Sequence, residues 1–454
     1  LHERILGLIS AGAESSEINR PGGIFVMSSE QIAEEDRVLI QSVARVIIAD
    51  GRGALADQIQ GISVPELKIP LFVMTRRHRS DPIPASPLPR LDLVFYNGLG
   101  GFTPDGREYV ITTTQERRTP APWVNVLANP NFGTVISESG LATTWSENAH
   151  EFRLTPWSND PVSDSRGEAF YLRDEERGHF WSPTPLPCCG TTPYITRHGF
   201  GYSVFEHTER GIRSELCVYV AMDAPVKFAV LKVRNVSERP RRISATGYVE
   251  WVLGDLRSKS AMHVDTEIDL NSGALFARNP YNTEFLDRTA FFDVDDPKRT
   301  VSGDRTEFIG RNGTLSDPAA MRRTRLSGKV GAALDPCAVI QVSFDLAVGE
   351  EQEVIFRLGV GQNTEDAGNL VQRFRGSAAA RAALDVVWQH WTHTLGAVNV
   401  ETPDPSLNIL VNGWLLYQVI VCRLWARNAT YQSGGAFGFR DQLQDVMALV
   451  HSRP

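Results

Sequence analysis

Between residues 91 and 362 short apolar runs recur, each broken by Gly, Asn, Pro or Asp. They fall at 91–96, 109–113, 134–137, 201–207, 212–221, 227–236, 242–251, 275–279, 289–294 and 339–348. Val, Ile, Phe, Tyr and Thr dominate them, and several alternate with polar residues, the period-2 signature of strands. The pattern predicts an all-β sandwich of many strands, longer than a simple immunoglobulin-type domain. Residues 214–251 predict three successive antiparallel strands, turning at Asp223-Ala-Pro and at Asn235-Val-Ser-Glu-Arg-Pro.

From about residue 364 the apolar spacing becomes helical. Residues 365–374 and 378–396, the latter carrying Trp388 and Trp391, predict two helices, and 363–400 is read as a helical linker. Asp404-Pro-Ser then leads into 407–426, which is apolar on more than one face (Leu410, Trp414, Tyr417, Ile420, Leu424). A helix apolar nearly all round belongs inside a multi-helix layer, so 401–454 reads as the beginning of a further helical domain. Upstream, Ser29 is expected to cap a helix through Val38, Val43 and Ile47 that ends at Gly51-Arg-Gly, followed by a short helix at 54–59. Arg20-Pro-Gly-Gly predicts a turn into a short strand. So little structure buries too small a core for a domain, and 1–61 is read as the tail of a preceding one. Pro65, Pro70, Pro82, Pro84, Pro87 and Pro89 mark 62–90 as an extended linker.

Composition narrows the partners. The chain has 454 residues, 42% hydrophobic and 22% charged, values of a globular protein. Its net charge of −8 argues against a nucleic-acid surface. Cys188, Cys189, Cys217, Cys337 and Cys422 have no metal-ligand spacing, and an odd, sparse set fits free thiols in a reducing compartment. No signal peptide and no uninterrupted run of about 18 apolar residues is found. No metal or organic cofactor is expected.

Two stretches carry candidate chemistry. Residues 434–445 read Gly-Gly-Ala-Phe-Gly-Phe-Arg-Asp-Gln-Leu-Gln-Asp and deliver Arg440 and Asp441 into a helix start. Arg supplies fixed donors and Asp supplies acceptors, which suits a polyhydroxylated ligand. The bland alternative is a capping Asp with a structural ion pair. Residues 143–161 gather Trp145, Trp157, Glu147, Asn148, Arg153, Asn159 and Asp160 in a proline-punctuated loop. Aromatic faces beside polar side chains suit a sugar, and core tryptophans are the competing reading. Asp441 and Asp445 sit one helical turn apart and cannot flank a glycosidic bond as an acid pair would. Asn97-Gly-Leu-Gly-Gly-Phe is read as a hairpin and not a phosphate loop, and His198, Glu206 and His207 as satisfied strand residues.

Residues 97–110, 120–130, 154–164, 181–187 and 432–445 together resemble glycoside hydrolase family 94, in particular the C-terminal region of cyclic β-1,2-glucan synthases and the 1,2-β-oligoglucan phosphorylases. The resemblance covers 90–454. It implies a galactose-mutarotase-like β-sandwich, a helical linker and the truncated start of an (α/α)6 barrel. It also implies inverting phosphorolysis of a β-glucoside, with inorganic phosphate as co-substrate and a β-glucan oligosaccharide as substrate. Arg440 and Asp441 match the family pair that holds glucosyl hydroxyls, and the loop bearing Trp145, Trp157, Asn159 and Asp160 matches, more loosely, one that reaches toward a partner subunit's acceptor subsite. The resemblance therefore implies a homodimer through the sandwich. Nothing between 441 and 454 matches the family's general-acid motif, and Gly435 stands where related disaccharide phosphorylases place a phosphate-binding Arg. The chain is thus expected to be a fragment, inactive alone, of a cytoplasmic enzyme or of the cytoplasmic part of an inner-membrane protein anchored by other domains. A non-catalytic carbohydrate-binding or dimerisation module, and a hydrolase of a related (α/α)6 family, remain the alternatives.

Overall fold

The computed structural model describes residues 2–60, 92–165, 167–427, 433–434 and 438–452. The chain divides into two units, Leu1–Arg79 and Ser80–Pro454.

In the first unit the described helices are His2–Ser10, Glu34–Val43 and Leu55–Gln60, joined by 3-10 turns. The helix expected from Ser29 is split. Ser28 and Gln31 close a capping box around the 3-10 turn Ser29–Gln31, and the α-helix starts only at Glu34. It ends at Val43, ahead of the glycines at 51 and 53. The short strand expected after Arg20 is a single bridge between Ile18 and Ile24. The proline linker at 62–90 lies outside the described residues.

The second unit is an antiparallel sandwich followed by helices, the order expected from the sequence. Ten strands form the largest described sheet, in the spatial order Gly100–Phe102, Glu108–Thr113, Tyr194–Gly199, Tyr202–Glu209, Ile212–Val220, Val226–Asn235, Glu351–Gly361, Thr289–Val294, Leu275–Arg278, Asp265–Ile268. A five-stranded sheet, Thr300–Asp304, Pro336–Leu346, Arg241–Glu250, Glu168–Asp174 and Phe180–Trp181, and a three-stranded sheet, Val124–Asn129, Phe132–Ser137 and Ala142–Ser146, complete it. The pairing of 214–251 departs from the expected three-strand meander. Ile212–Val220 and Val226–Asn235 pair along their lengths, but Arg241–Glu250 crosses to the five-stranded sheet, between Pro336–Leu346 and Glu168–Asp174. Residues 92–96, expected as strand, contribute one bridge, Val94 to Phe102.

The central strands are apolar on both faces because each face has its own core. Leu216, Val218, Ala229, Leu231 and Phe356 meet Ala245, Ile340 and Val342 of the five-stranded sheet. Their sequence neighbours Tyr219, Phe228 and Ile355 face the other way, toward helices Thr364–Arg373 and Ser377–Leu395 and the three-stranded sheet. Gly247 allows the two sheets to approach: a Cβ there would stand 2.8 Å from the Phe292 ring.

The helix Pro405–Ala426, which includes two π-helical stretches, is long and apolar enough to cross a membrane by length and composition. One side of it is core: Trp414, Tyr417, Ile420 and Val421 are buried. Trp414 Nε1 donates to the Gly106 carbonyl (2.8 Å). The Tyr417 hydroxyl accepts from the Gly201 N–H (3.1 Å) and donates to the Val126 carbonyl (2.7 Å). Gly201 has φ +83°, and a side chain there would collide with Trp391. The sandwich turns are therefore shaped to receive the helices.

Candidate functional site

The loop after strand Ala142–Ser146 begins at Glu147, which adopts φ +59° and pairs with Arg288 (2.6 Å). A turn closed by Phe152 N–H to the Asn148 carbonyl (3.0 Å) then brings Arg153 inward. Its backbone bridges Gly254 in both directions, at 3.0 and 3.2 Å. Phe152 and Leu154 on either side are buried in the sandwich core, so Arg153 has one direction left, away from that core. It is nearly buried itself, and burial lowers its pKa from the usual arginine value.

Arg153 links its own stretch to Ser433, one residue ahead of the second stretch. Its Nη1 donates to the Asp255 carbonyl (2.5 Å), and its Nη2 donates to Ser433 Oγ (3.0 Å). Ser433 Oγ in turn donates to the Ala149 carbonyl (2.8 Å). The guanidinium also lies 5.4 Å from the centre of the Trp157 ring, a cation–π contact. Five residues beyond Ser433, Gly438 starts the helix Phe439–Val446 that carries Arg440 and Asp441. Residues 428–432 and 435–437, Gly435 among them, lie outside the described residues.

On the first turn of that helix a carboxylate meets the positive end of the helix dipole. The N-cap is Gly438, so Asp441 is not the capping residue. Arg440 Nη2 lies 3.6 Å from Asp441 Oδ1, with the side chains 85% and 62% exposed. Among the described residues neither makes a hydrogen bond elsewhere. The back of the helix is held instead. Asp445 pairs with Arg423 of the helix Pro405–Ala426, and Gln442 Nε2 donates to the Arg423 carbonyl (2.6 Å). Asp445 therefore anchors the helix and does not serve as a second carboxylate beside Asp441.

The four remaining candidates separate. Trp145 is 2% exposed, inside the core shared by the three-stranded sheet and the helices. Its expected role as a sugar platform is corrected on that ground, because an enclosed indole has no free face. Trp157 is half-buried under Arg153. Asn159 is exposed. Asp160 closes its own turn: Oδ1 accepts from the Val162 and Ser163 N–H groups (3.0 Å each). Hydrogen bonding from Ser163, first its hydroxyl and then its N–H, lowers the Asp160 pKa. Arg153, the residue linking these elements, was named in the sequence only as part of the loop. The available signal was a charged residue between two apolar ones, Phe152 and Leu154.

His198 behaves as expected. Nδ1 contacts Ser203 Oγ (2.8 Å), Nε2 contacts the Trp123 carbonyl (3.1 Å), and burial pushes its pKa down to about 4. The Asn97 segment is a hairpin entrance, with Asn97 Oδ1 accepting from the Leu99 and Gly100 N–H groups. The five cysteines are free.

The glycosyl hydrolase 94 supersandwich domain matches residues 107–377. The chain belongs to glycosyl hydrolase family 94. The catalytic-domain description of the family 94 superfamily matches residues 390–454, which include Arg440 and Asp441. Three curated relatives share this similarity. The cyclic beta-(1,2)-glucan synthase NdvB of Rhizobium meliloti (strain 1021) is 35% identical over 445 residues, 95% of this chain and 16% of that protein. An N,N'-diacetylchitobiose phosphorylase of Vibrio furnissii is 31% identical, across 78% of this chain and 45% of its own length. A solabiose phosphorylase of Paenibacillus borealis is 29% identical, again across 78% and 45%. This family 94 chain thus spans less than half the length of each of these relatives.

Proposed function

We propose that this chain provides the sandwich and the donor-side Arg-Asp pair of an enzyme that cleaves β-1,2-glucan by inverting phosphorolysis. The observation that carries the reading is the Arg440–Asp441 pair, exposed on the first turn of Phe439–Val446 and paired among the described residues only with itself. A guanidinium donates in a fixed plane and a carboxylate only accepts, so together they match adjacent sugar hydroxyls. Arg423 holds the helix through Asp445, and Arg153 holds Ser433 on the segment before it. Positioning of this kind lets binding energy at hydroxyls away from the bond lower the barrier at the bond.

In this reading an acid protonates the glycosidic oxygen while phosphate attacks the anomeric carbon from the opposite face. Phosphate is already an anion and needs no general base, whereas water would need one. The similarity to a β-1,2-glucan synthase and to two disaccharide phosphorylases supports the substrate class and the use of phosphate. Five free thiols agree with a cytoplasmic setting, where phosphate is available.

The test is the full-length protein from its native gene, acting on linear β-1,2-glucan with phosphate. Asp441→Asn is expected to lower kcat/KM by about a hundredfold or more, the scale seen when one preorganised transition-state contact is removed. An unchanged kcat/KM would remove Asp441 from the donor subsite.

A further inference from the structure

Trp388 stands where two clefts meet, on the seam between the ten-stranded sheet and the helix Ser377–Leu395. The larger cleft, 710 Å³, is lined by Asp105, Arg107, Phe200, Tyr202 and Asn399 as well as Trp388. The smaller, 280 Å³, continues past Tyr202 and Trp388 over Arg197, Glu215, Lys232 and Glu353. Neither Arg440 nor Asp441 lines either one.

We infer that this double cleft is a second glucan-binding site, with Trp388 as the platform for a pyranose ring. The helix itself does not need the exposed indole. Trp391, one turn on, is 2% exposed and locked against Tyr417, while Trp388 is left 46% exposed, with its edge against Tyr202 (centroids 6.1 Å apart). An indole half in solvent offers a flat apolar face to the C–H side of a sugar.

The rim is matched to neutral hydroxyls. Tyr202 donates to Glu108 Oε1 (2.7 Å), and Glu108 Oε2 meets Arg197 Nη1 (3.4 Å). Glu215, Lys232 and Glu353 stand directly opposite one another on three neighbouring strands. Across the two linings the carboxylates of Asp105, Glu108, Glu215 and Glu353 are balanced by Arg107, Arg197, Lys232 and Arg381. A lining with four charges of each sign carries no net charge to favour a phosphate backbone or an anionic lipid surface. It does offer donors and acceptors side by side, which a neutral polyol uses. The larger cleft is within the usual range of ligand sites, about 300–1,000 Å³.

The choice of β-1,2-glucan as ligand rests on the function proposed above. The experiment is calorimetric titration of linear β-1,2-glucan oligosaccharides into the 454-residue protein, with Trp388→Ala, Trp388→Phe, Arg381→Ala and Asp441→Asn alongside. Trp388→Ala is expected to weaken binding by about tenfold, the effect of truncating one aromatic anchor. Trp388→Phe should recover most of that loss. Arg381→Ala, whose side chain is 74% exposed and cannot upset the core, should weaken binding in the same direction. Asp441→Asn should leave this binding in place. No binding by the wild type, equal affinity in Trp388→Ala, or loss of all binding in Asp441→Asn would each overturn the inference. Its failure is separable from that of the phosphorolysis reading. Binding through Trp388 without any glucose 1-phosphate from the full-length protein would sink only the latter, and phosphorolysis with unaltered binding in Trp388→Ala would sink only the former.

Discussion

Glu138 lies at the end of strand Phe132–Ser137, closed off from water. The Thr119 hydroxyl donates to one carboxyl oxygen and the Trp123 N–H to the other (2.7 Å). Burial, reinforced by the nearby Asp164 carboxylate, pushes its pKa up from the ordinary 4.5 to about 7. The folded protein therefore holds this proton more tightly than the unfolded chain does. The stabilisation is fully present below the unfolded pKa and is lost as pH rises through about 7. Between about pH 5 and 8 the wild-type Tm is expected to fall more steeply than that of Glu138→Gln, and equal slopes in the two proteins would contradict the assignment. Single residues of this kind were the least legible in the sequence. Trp145, on strand Ala142–Ser146, and Trp157, in the loop after it, share a residue type, yet one is enclosed by the helices and the other lies under Arg153. Composition could propose both as sugar platforms but could not separate them, because burial is decided by elements hundreds of residues away.

The elements were easier to read where one face or one period dominates. Thr289–Val294 appears with the bounds its apolar run predicted, and Ser377–Leu395 differs by one residue at each end from the expected 378–396. Strands with mixed or short patterns, such as Ala142–Ser146 and Thr300–Asp304, gave no period strong enough to detect. The crossing of Arg241–Glu250 to the other sheet was also hidden. Both its faces are buried, so its pattern would suit either partner, and the five residues 236–240 before it make the crossing. The junction of helix and sheet makes its own prediction. Trp391 fills the space between Gly201, Tyr417 and Trp425. Trp391→Ala should cost about 3–5 kcal/mol in urea or thermal unfolding, since the turn at Gly201 cannot close over the gap. A cost below about 1 kcal/mol would mean that helix and sheet do not fold as one unit.

At the scale of the whole molecule the sandwich is a scaffold. It receives the helices through Gly106, Gly201 and Val126, and it holds the approach to Arg440–Asp441 through Arg153 and Ser433. The fold class and the family could be read from several motifs in order. The site could be read only in part. Arg440 and Asp441 appear on the helix start their sequence suggests, and Arg153, which ties its loop to Ser433, emerges only from the packing. The measurement that tests the account most directly is an NMR time course of the full-length protein with linear β-1,2-glucan, with and without inorganic phosphate. The account predicts α-glucose 1-phosphate, formed only when phosphate is present and with inversion at the anomeric carbon. New reducing ends appearing at the same rate without phosphate would contradict it and make the protein a hydrolase.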